Sequence, residues 1–367
     1  MYSFNLRGEI VDCIDIEANP DLGFNFPFKI IIPKNINNNP EVVYACNLPK
    51  DVSGKCNSFD EMIEFAKKDL GSIDPMHIHL CLEKGYPMIV PAVPRTKDFR
   101  PNFLGRDCLK NDFSLLQDFK FKEEVYRYKD LAEQHKKIIE YAIECLYENK
   151  IQVDNKVIIC GYSEGAKFAS HFALLHPEVI KAVIAGGTGG VMSMPVSNID
   201  GYEFTYPTGI ADLPDFNKDE FAKISFFYYM GREDKSDSAI PYFDDVYYTD
   251  ENGETKVLVD ECNNKTPMID ENGNQVFKID ENGNYRAKWP LFSDEEVNAI
   301  NKVLGTVIQE RFIKQEQIYG REVPISEFHF YPGNHLTVFN IKRTEIFEDV
   351  DNFILNNLII DKKVKVV

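Results

Sequence analysis

Apolar and polar residues fall into blocks along the chain, and the period of each block predicts its element. Three short extended runs open it, at residues 2–11, 26–32 and 41–46, separated by turns rich in Asn, Pro, Asp and Gly; they read as strands. Residues 58–70 carry Phe59, Met62, Ile63, Phe65, Ala66 and Leu70 at helical spacing, behind a capping Ser58 with Glu61 three residues on, so a helix is expected. A strand at 86–93 contains Pro91, is closed by Pro94, and leads into a long irregular stretch ending near Lys122. Residues 123–149 form the longest helical pattern of the chain.

The wholly apolar run at 157–160 has the character of a central strand in a parallel sheet. A helix follows at 163–175, stopped before Pro177, then strands at 182–185 and 224–230. A helix at 293–319 would bury Val297, Ile300, Val303, Leu304, Val307 and Ile308, and a strand at 327–331 and a helix at 346–358 end the series. Strands alternating with helices predict an α/β fold: a mostly parallel central sheet with helices on both faces, begun by an antiparallel N-terminal run.

One stretch breaks the alternation. Asp-Glu-Asn-Gly recurs at 250–253, 270–273 and 280–283 between alternating apolar residues, and Asn-Gly in that setting is a strong hairpin signal because both central turn residues need positive φ. The expected organisation is an α/β core of residues 1–239 and 294–367, with residues 240–293 a β-hairpin-rich insertion serving as a lid, an oligomer arm or decoration. A calcium loop is disfavoured, since the acidic residues lack the required register and distant bidentate Glu.

Composition narrows the class of partner. Over 367 residues, 41 Lys and Arg against 59 Asp and Glu give a formal charge of −18, a field that repels phosphate backbones and anionic lipid headgroups. No run of apolar residues is long enough to span a bilayer, and residues 1–8 lack a basic start followed by an apolar stretch. The eight cysteines show no C-x-x-C pair or framework spacing, so they read as thiols, with Cys46 and Cys160 as small buried hydrophobes. A cytoplasmic protein without nucleic-acid or membrane partners is expected.

The chemistry concentrates at Gly161-Tyr162-Ser163-Glu164-Gly165, which lies between the apolar strand and the helix after it. A serine on such a turn is held in a strained conformation above the sheet, and glycines two residues to either side leave room for close backbone approach. The Glu164 N–H, at the positive end of the helix dipole, is a candidate oxyanion donor.

A serine hydroxyl needs a base, and the base an orienting carboxylate. Of seven histidines, His77, His79, His135, His171 and His176 lie in helical patterns and His329 in an alternating strand. His335, in the glycine-bearing loop after the last strand, is the candidate base. Asp234, just past the apolar strand at 224–230, is the candidate acid, with Glu233 and Asp237 as rivals.

In the order Ser163, Asp234, His335, the sequence resembles the α/β-hydrolase superfamily over about residues 10–358, with the elbow after the fifth strand, the acid after the seventh and the histidine after the eighth. Two features depart from it. Acid and histidine stand 101 residues apart, the excess matching the insertion, and Cys46-Asn47-Leu48-Pro49 stands where family members commonly carry His-Gly. Asn47 or Leu48 would then supply the second oxyanion N–H from its backbone.

The glycine run at 186–190 fits neither a P-loop nor G-x-G-x-x-G and reads as a flexible pocket wall or mobile loop; residues 95–102 and the insertion are further substrate-loop candidates. No H-E-x-x-H is present, so neither metal nor cofactor is expected. The resemblance implies a serine hydrolase, foremost a carboxylic-ester hydrolase acting on a small ester or other acyl substrate. A short-peptide peptidase, acyltransferase or thioesterase would use the same triad, and a non-catalytic ligand-binding protein is the reading of another class.

Overall fold

The computed structural model describes residues 1–46, 49–50, 52–70, 73–95, 104–111, 120–235, 247–249, 255–257, 294–340 and 343–359. Its centre is a nine-stranded sheet: β1 (Tyr2–Leu6), β2 (Glu9–Ile16), β3 (Phe28–Pro33), β4 (Val42–Ala45), β5 (Met88–Pro91), β6 (Val157–Tyr162), β7 (Ile180–Gly186), β8 (Ser225–Gly231) and β9 (Ser326–Tyr331). The spatial order is β1-β2-β3-β5-β4-β6-β7-β8-β9. The strands β5, β4, β6, β7, β8 and β9 run parallel as neighbours, while β1, β2 and β3 pair antiparallel and β3 meets β5 antiparallel.

The first apolar run is two strands rather than one. Arg7 and Gly8, at φ 53° and 106°, form a two-residue turn that pairs Leu6 with Glu9. Both central residues of this tight hairpin take positive φ, and an Arg-Gly pair is a weaker signal than Asn-Gly. The extra strand places the elbow after the sixth strand of the central sheet in chain order, the acid loop after the eighth and His335 after the ninth.

Two expected helices are also broken. The pattern at 123–149 divides into a 3₁₀ segment, Lys122–Tyr128, and a helix, Leu131–Glu148, because Asp130 takes φ 50° and exchanges hydrogen bonds of 2.7 Å with Asn111 through both its backbone N–H and its carboxylate. The pattern at 293–319 divides at Gly305, φ 118°, into Asp294–Val303 and Ile308–Glu322. Val307 therefore caps the second helix and is exposed, while Ile300, Val303, Leu304 and Ile308 stay buried.

We label the helices that matter below α1 (Phe59–Lys68), α2 (Pro75–Leu82), α3 (Leu131–Glu148), α4 (Glu164–Leu175), α5 (Asp294–Val303), α6 (Ile308–Glu322), α7 (His335–Asn340) and α8 (Arg343–Ile354). Strand alternation sorts the core. Tyr44, Ile159, Val183 and Tyr228 face one way, against apolar residues of α1, α3, α4 and α6. Their neighbours Val43, Ile158, Ile184 and Phe227 face the other, against α2 and α8. A sheet covered on both faces needs apolar residues at every position, and β6 and β8 are buried throughout.

His135 of α3 lies in the first of these layers, Nδ1 against the Tyr44 hydroxyl and its ring edge-on to Phe168. Burial above all, with His176 nearby, pulls its pKa down to about 3. The folded imidazole stays neutral where the unfolded chain takes up a proton. Its contribution to stability is thus complete above about pH 6.5 and lost as pH falls toward 3, at up to about 1.4 kcal/mol per pH unit. A Tyr44→Phe/His135→Phe double variant should flatten the dependence of urea-unfolding free energy on pH by close to one proton between about pH 6 and 4. An unchanged slope would count against this assignment.

In the expected insertion, Tyr247–Thr249 pairs antiparallel with Thr255–Val257 on either side of the first Asp-Glu-Asn-Gly, as the hairpin reading requires. The second and third copies lie outside the described residues.

Candidate active site

Ser163 sits between the last residue of β6 and the first of α4 with φ 57° and ψ −114°, a conformation that L-residues other than glycine adopt only under strain. The surrounding packing enforces it. Ser163 N–H bonds the Gly186 carbonyl of β7 at 2.8 Å, and the Ser163 carbonyl accepts from Ala166 and Lys167 of α4 at 3.1 and 3.2 Å. The first flanking glycine is a steric requirement: a Cβ on Gly161 would lie 2.5 Å from the Gly165 carbonyl carbon. The sharp turn from strand to helix therefore requires that position 161 lack a side chain.

The acid and the histidine come together because β8 and β9 are parallel neighbours with Gly231 opposite Tyr331, so the loops after them leave the same sheet edge side by side. Arg232 N–H bonds the Tyr331 carbonyl at 2.9 Å and Glu233 N–H the Gly333 carbonyl at 3.1 Å. A Cβ at Gly231 would lie 2.2 Å from the Gly333 oxygen, so this close approach also depends on a glycine. The outcome is a hydrogen bond of 2.7 Å between His335 Nδ1 and Asp234 Oδ2, with Asp234 wholly buried. His335 is the first residue of α7 rather than a loop residue.

The other candidates within the described residues make different contacts. Glu233 is exposed and accepts from the Gly333 N–H, bracing the histidine loop. Asp237 lies outside the described residues. His329 points from β9 to Glu327 at 3.1 Å and stacks on Phe227 at 4.5 Å. His77 donates from Nε2 to the Cys160 carbonyl at 2.6 Å, His79 pairs with Asp351 and His176 with Glu178.

The elbow and the histidine touch through Tyr162. Its hydroxyl donates to the His335 carbonyl at 2.7 Å, and its ring lies 4.9 Å from the imidazole, centroid to centroid. Burial raises the Tyr162 pKa, so the phenol stays a donor at every working pH.

Two further residues support this edge and were invisible as such in the sequence. Gln309 of α6 donates to the Asp234 carbonyl at 2.6 Å and to that of Arg232 at 3.1 Å. Arg95, expected in a substrate loop, pairs with the Glu164 carboxylate and donates from Nε to the Pro49 carbonyl at 3.0 Å. It thereby ties the elbow to the segment after β4. The signal available beforehand was an acid inside the elbow that needs a counter-charge. Asn47 and Leu48 lie outside the described residues, although Ala45 of β4 is the neighbour of Cys160 in β6.

The glycine run differs from its expected role as a flexible wall. Residues 186–190 are buried, and the chain beyond them is pinned: Gln315 of α6 donates to the Met192 carbonyl at 2.8 Å and Tyr319 to that of Ser193 at 2.5 Å. Positive φ at Gly187, Gly189 and Gly190 explains the composition.

Leaving aside the added β1, the strand order with one reversed strand, α2 and α8 together on one face, and a strained serine between the sixth strand and α4 define the architecture. The chain has the α/β-hydrolase fold. No protein-family model matches the sequence, and no curated protein matches it. Solved structures similar to this chain include a poly(3-hydroxybutyrate) depolymerase from Bordetella parapertussis, 13% identical, covering 88% of this chain and 83% of its own, with a TM-score of 0.43. Poly(aspartic acid) hydrolase-1 from Sphingomonas sp. KT-1 is 12% identical over 88% of this chain and 91% of its own, at 0.42. An S-formylglutathione hydrolase from Agrobacterium tumefaciens is 12% identical over 96% and 97%, at 0.40. Among the described residues no helix is long and apolar enough to cross a membrane.

Proposed function

We propose that this protein is a serine hydrolase of carboxylic esters that works through an acyl-enzyme on Ser163. The observation that carries the reading is the His335–Asp234 hydrogen bond of 2.7 Å on the same sheet edge as a strained serine whose neighbour, Tyr162, contacts that histidine. Ser163 Oγ bonds to the acyl carbon as His335 Nε2 takes the hydroxyl proton. The tetrahedral intermediate then expels the alcohol, which carries that proton away. Water, deprotonated by the same nitrogen, attacks the acyl-enzyme, and the proton returns to Ser163 as the acid leaves. Asp234 holds the Nδ1–H tautomer and stabilises the imidazolium. The Glu164 N–H, at the start of α4, and a backbone N–H from Asn47 or Leu48 receive the oxyanion charge. No step calls for a cofactor. Buried cysteine thiols fit a chain kept in a reducing compartment, the cytoplasm.

A panel of p-nitrophenyl and alkyl esters of graded acyl length, with Ser163→Ala as the blank, tests the substrate class. Turnover of esters with a burst of alcohol is expected. Turnover confined to aminoacyl amides would replace the esterase by a peptidase, and a ligand that stabilises the protein without reacting, together with no labelling by a fluorophosphonate, would replace the enzyme by a binding protein.

A further inference from the structure

The residue before Ser163 varies freely in a motif written G-x-S-x-G, yet here it makes the contacts that constrain the imidazole. His335 is held on three sides. Asp234 binds Nδ1 at 2.7 Å, the Tyr162 ring covers it at 4.9 Å with an interplanar angle of 48°, and the Gly187 backbone abuts its Cε1 edge. The last contact is tight enough to exclude any side chain: a Cβ at Gly187 would lie 2.9 Å from His335 Cε1 and 2.7 Å from Tyr162 Cζ. The backbone of His335 is held too, because its carbonyl accepts the Tyr162 hydroxyl at 2.7 Å. Tyr162 is buried as the last residue of β6, and Gly187 N–H is fixed to the Tyr229 carbonyl of β8 at 2.8 Å, so both restraints are anchored in the sheet.

We propose that Tyr162 is a positioning residue for the catalytic base, its hydroxyl fixing the His335 backbone and its ring fixing the imidazole plane so that Nε2 faces the serine one residue along the same strand. The inference rests on the reading of His335 as the base. Its physical content is registration. α7 is a short helix of six residues joined to β9 by a glycine-bearing loop. Left to that loop alone, the imidazole could rock about its bond to Asp234. A hydrogen bond from the residue next to the nucleophile makes the distance between base and serine a local property of one strand end. Misplacement of reacting groups by a fraction of an ångström is costly to rate and nearly free in binding.

Tyr162→Phe keeps the ring and removes only the donor; Tyr162→Leu removes both. On a p-nitrophenyl ester the Phe variant should lose about tenfold in kcat with KM within about twofold, and the Leu variant about a hundredfold. Fluorophosphonate labelling, and both the burst and steady-state phases, should slow by the same factor, since His335 serves acylation and deacylation alike. In proton NMR, the downfield His335 Nδ1–H resonance of the parent should broaden in Tyr162→Phe. A folded Phe variant with kcat unchanged and that resonance intact would overturn the proposal, as would a loss confined to KM. Absence of labelling in the unsubstituted protein would instead overturn the reading of Ser163, and so separates the two failures.

Discussion

Replacing Ser163 by alanine should remove ester turnover by roughly 10⁵- to 10⁶-fold and abolish fluorophosphonate labelling, because nothing else at the elbow offers a nucleophile. The fold should survive. Alanine retains Cβ and inherits the φ of 57°, so the strain at the turn persists and the unfolding midpoint should stay close to that of the parent. Ser163→Gly should be equally inactive yet more stable than Ser163→Ala, by about 1 kcal/mol, since glycine adopts this backbone without steric penalty. Chemical denaturation of the two inactive variants checks the difference. Equal stabilities would mean that the strain is smaller than the dihedral implies, and retained turnover in either would remove the serine from the mechanism.

The second large effect concerns the acid and base. Asp234→Asn preserves shape and burial but presents an amide to His335 Nδ1, which favours the wrong tautomer, and kcat should fall by about 10⁴-fold. His335→Ala should do at least as much damage. His329→Ala should cost little turnover, because that ring is stacked on Phe227 and paired with Glu327 along β9, away from the elbow. Steady-state kinetics on the three variants decides the matter, and the opposite ranking of the two histidines would mean that the base had been misassigned.

The parts of the fold that read cleanly were those whose residues interact with near neighbours in sequence or with a whole layer at once. The continuous apolar runs of β6 and β8 mark central strands because both faces are covered. Ser58 caps α1 by accepting the Glu61 N–H at 3.2 Å, a contact three residues long. The misread elements turned on single backbone angles: Arg7 and Gly8 in the first hairpin, Asp130 before α3, and Gly305 between α5 and α6. Such breaks depend on what packs around them, as the Asn111 clamp on Asp130 illustrates, and periodicity averages across them.

The candidate site divides along the same line. By itself the sequence determined the elbow, since Gly161, Ser163 and Gly165 are bound to one another within a single turn. It also narrowed the acid and base to a few residues after apolar strands. Only the tertiary structure showed that Asp234 rather than Glu233 reaches His335, and that His329 pairs with Glu327 instead, through the parallel pairing of β8 with β9 that sets two loops 101 residues apart against each other. It alone placed Gln309 behind Asp234, Arg95 on Glu164 and Tyr162 against the imidazole. The reason is one of range. Steric demands of a turn act over a few bonds and leave a local signature, whereas a hydrogen bond between distant segments leaves none until the sheet has fixed where each segment ends.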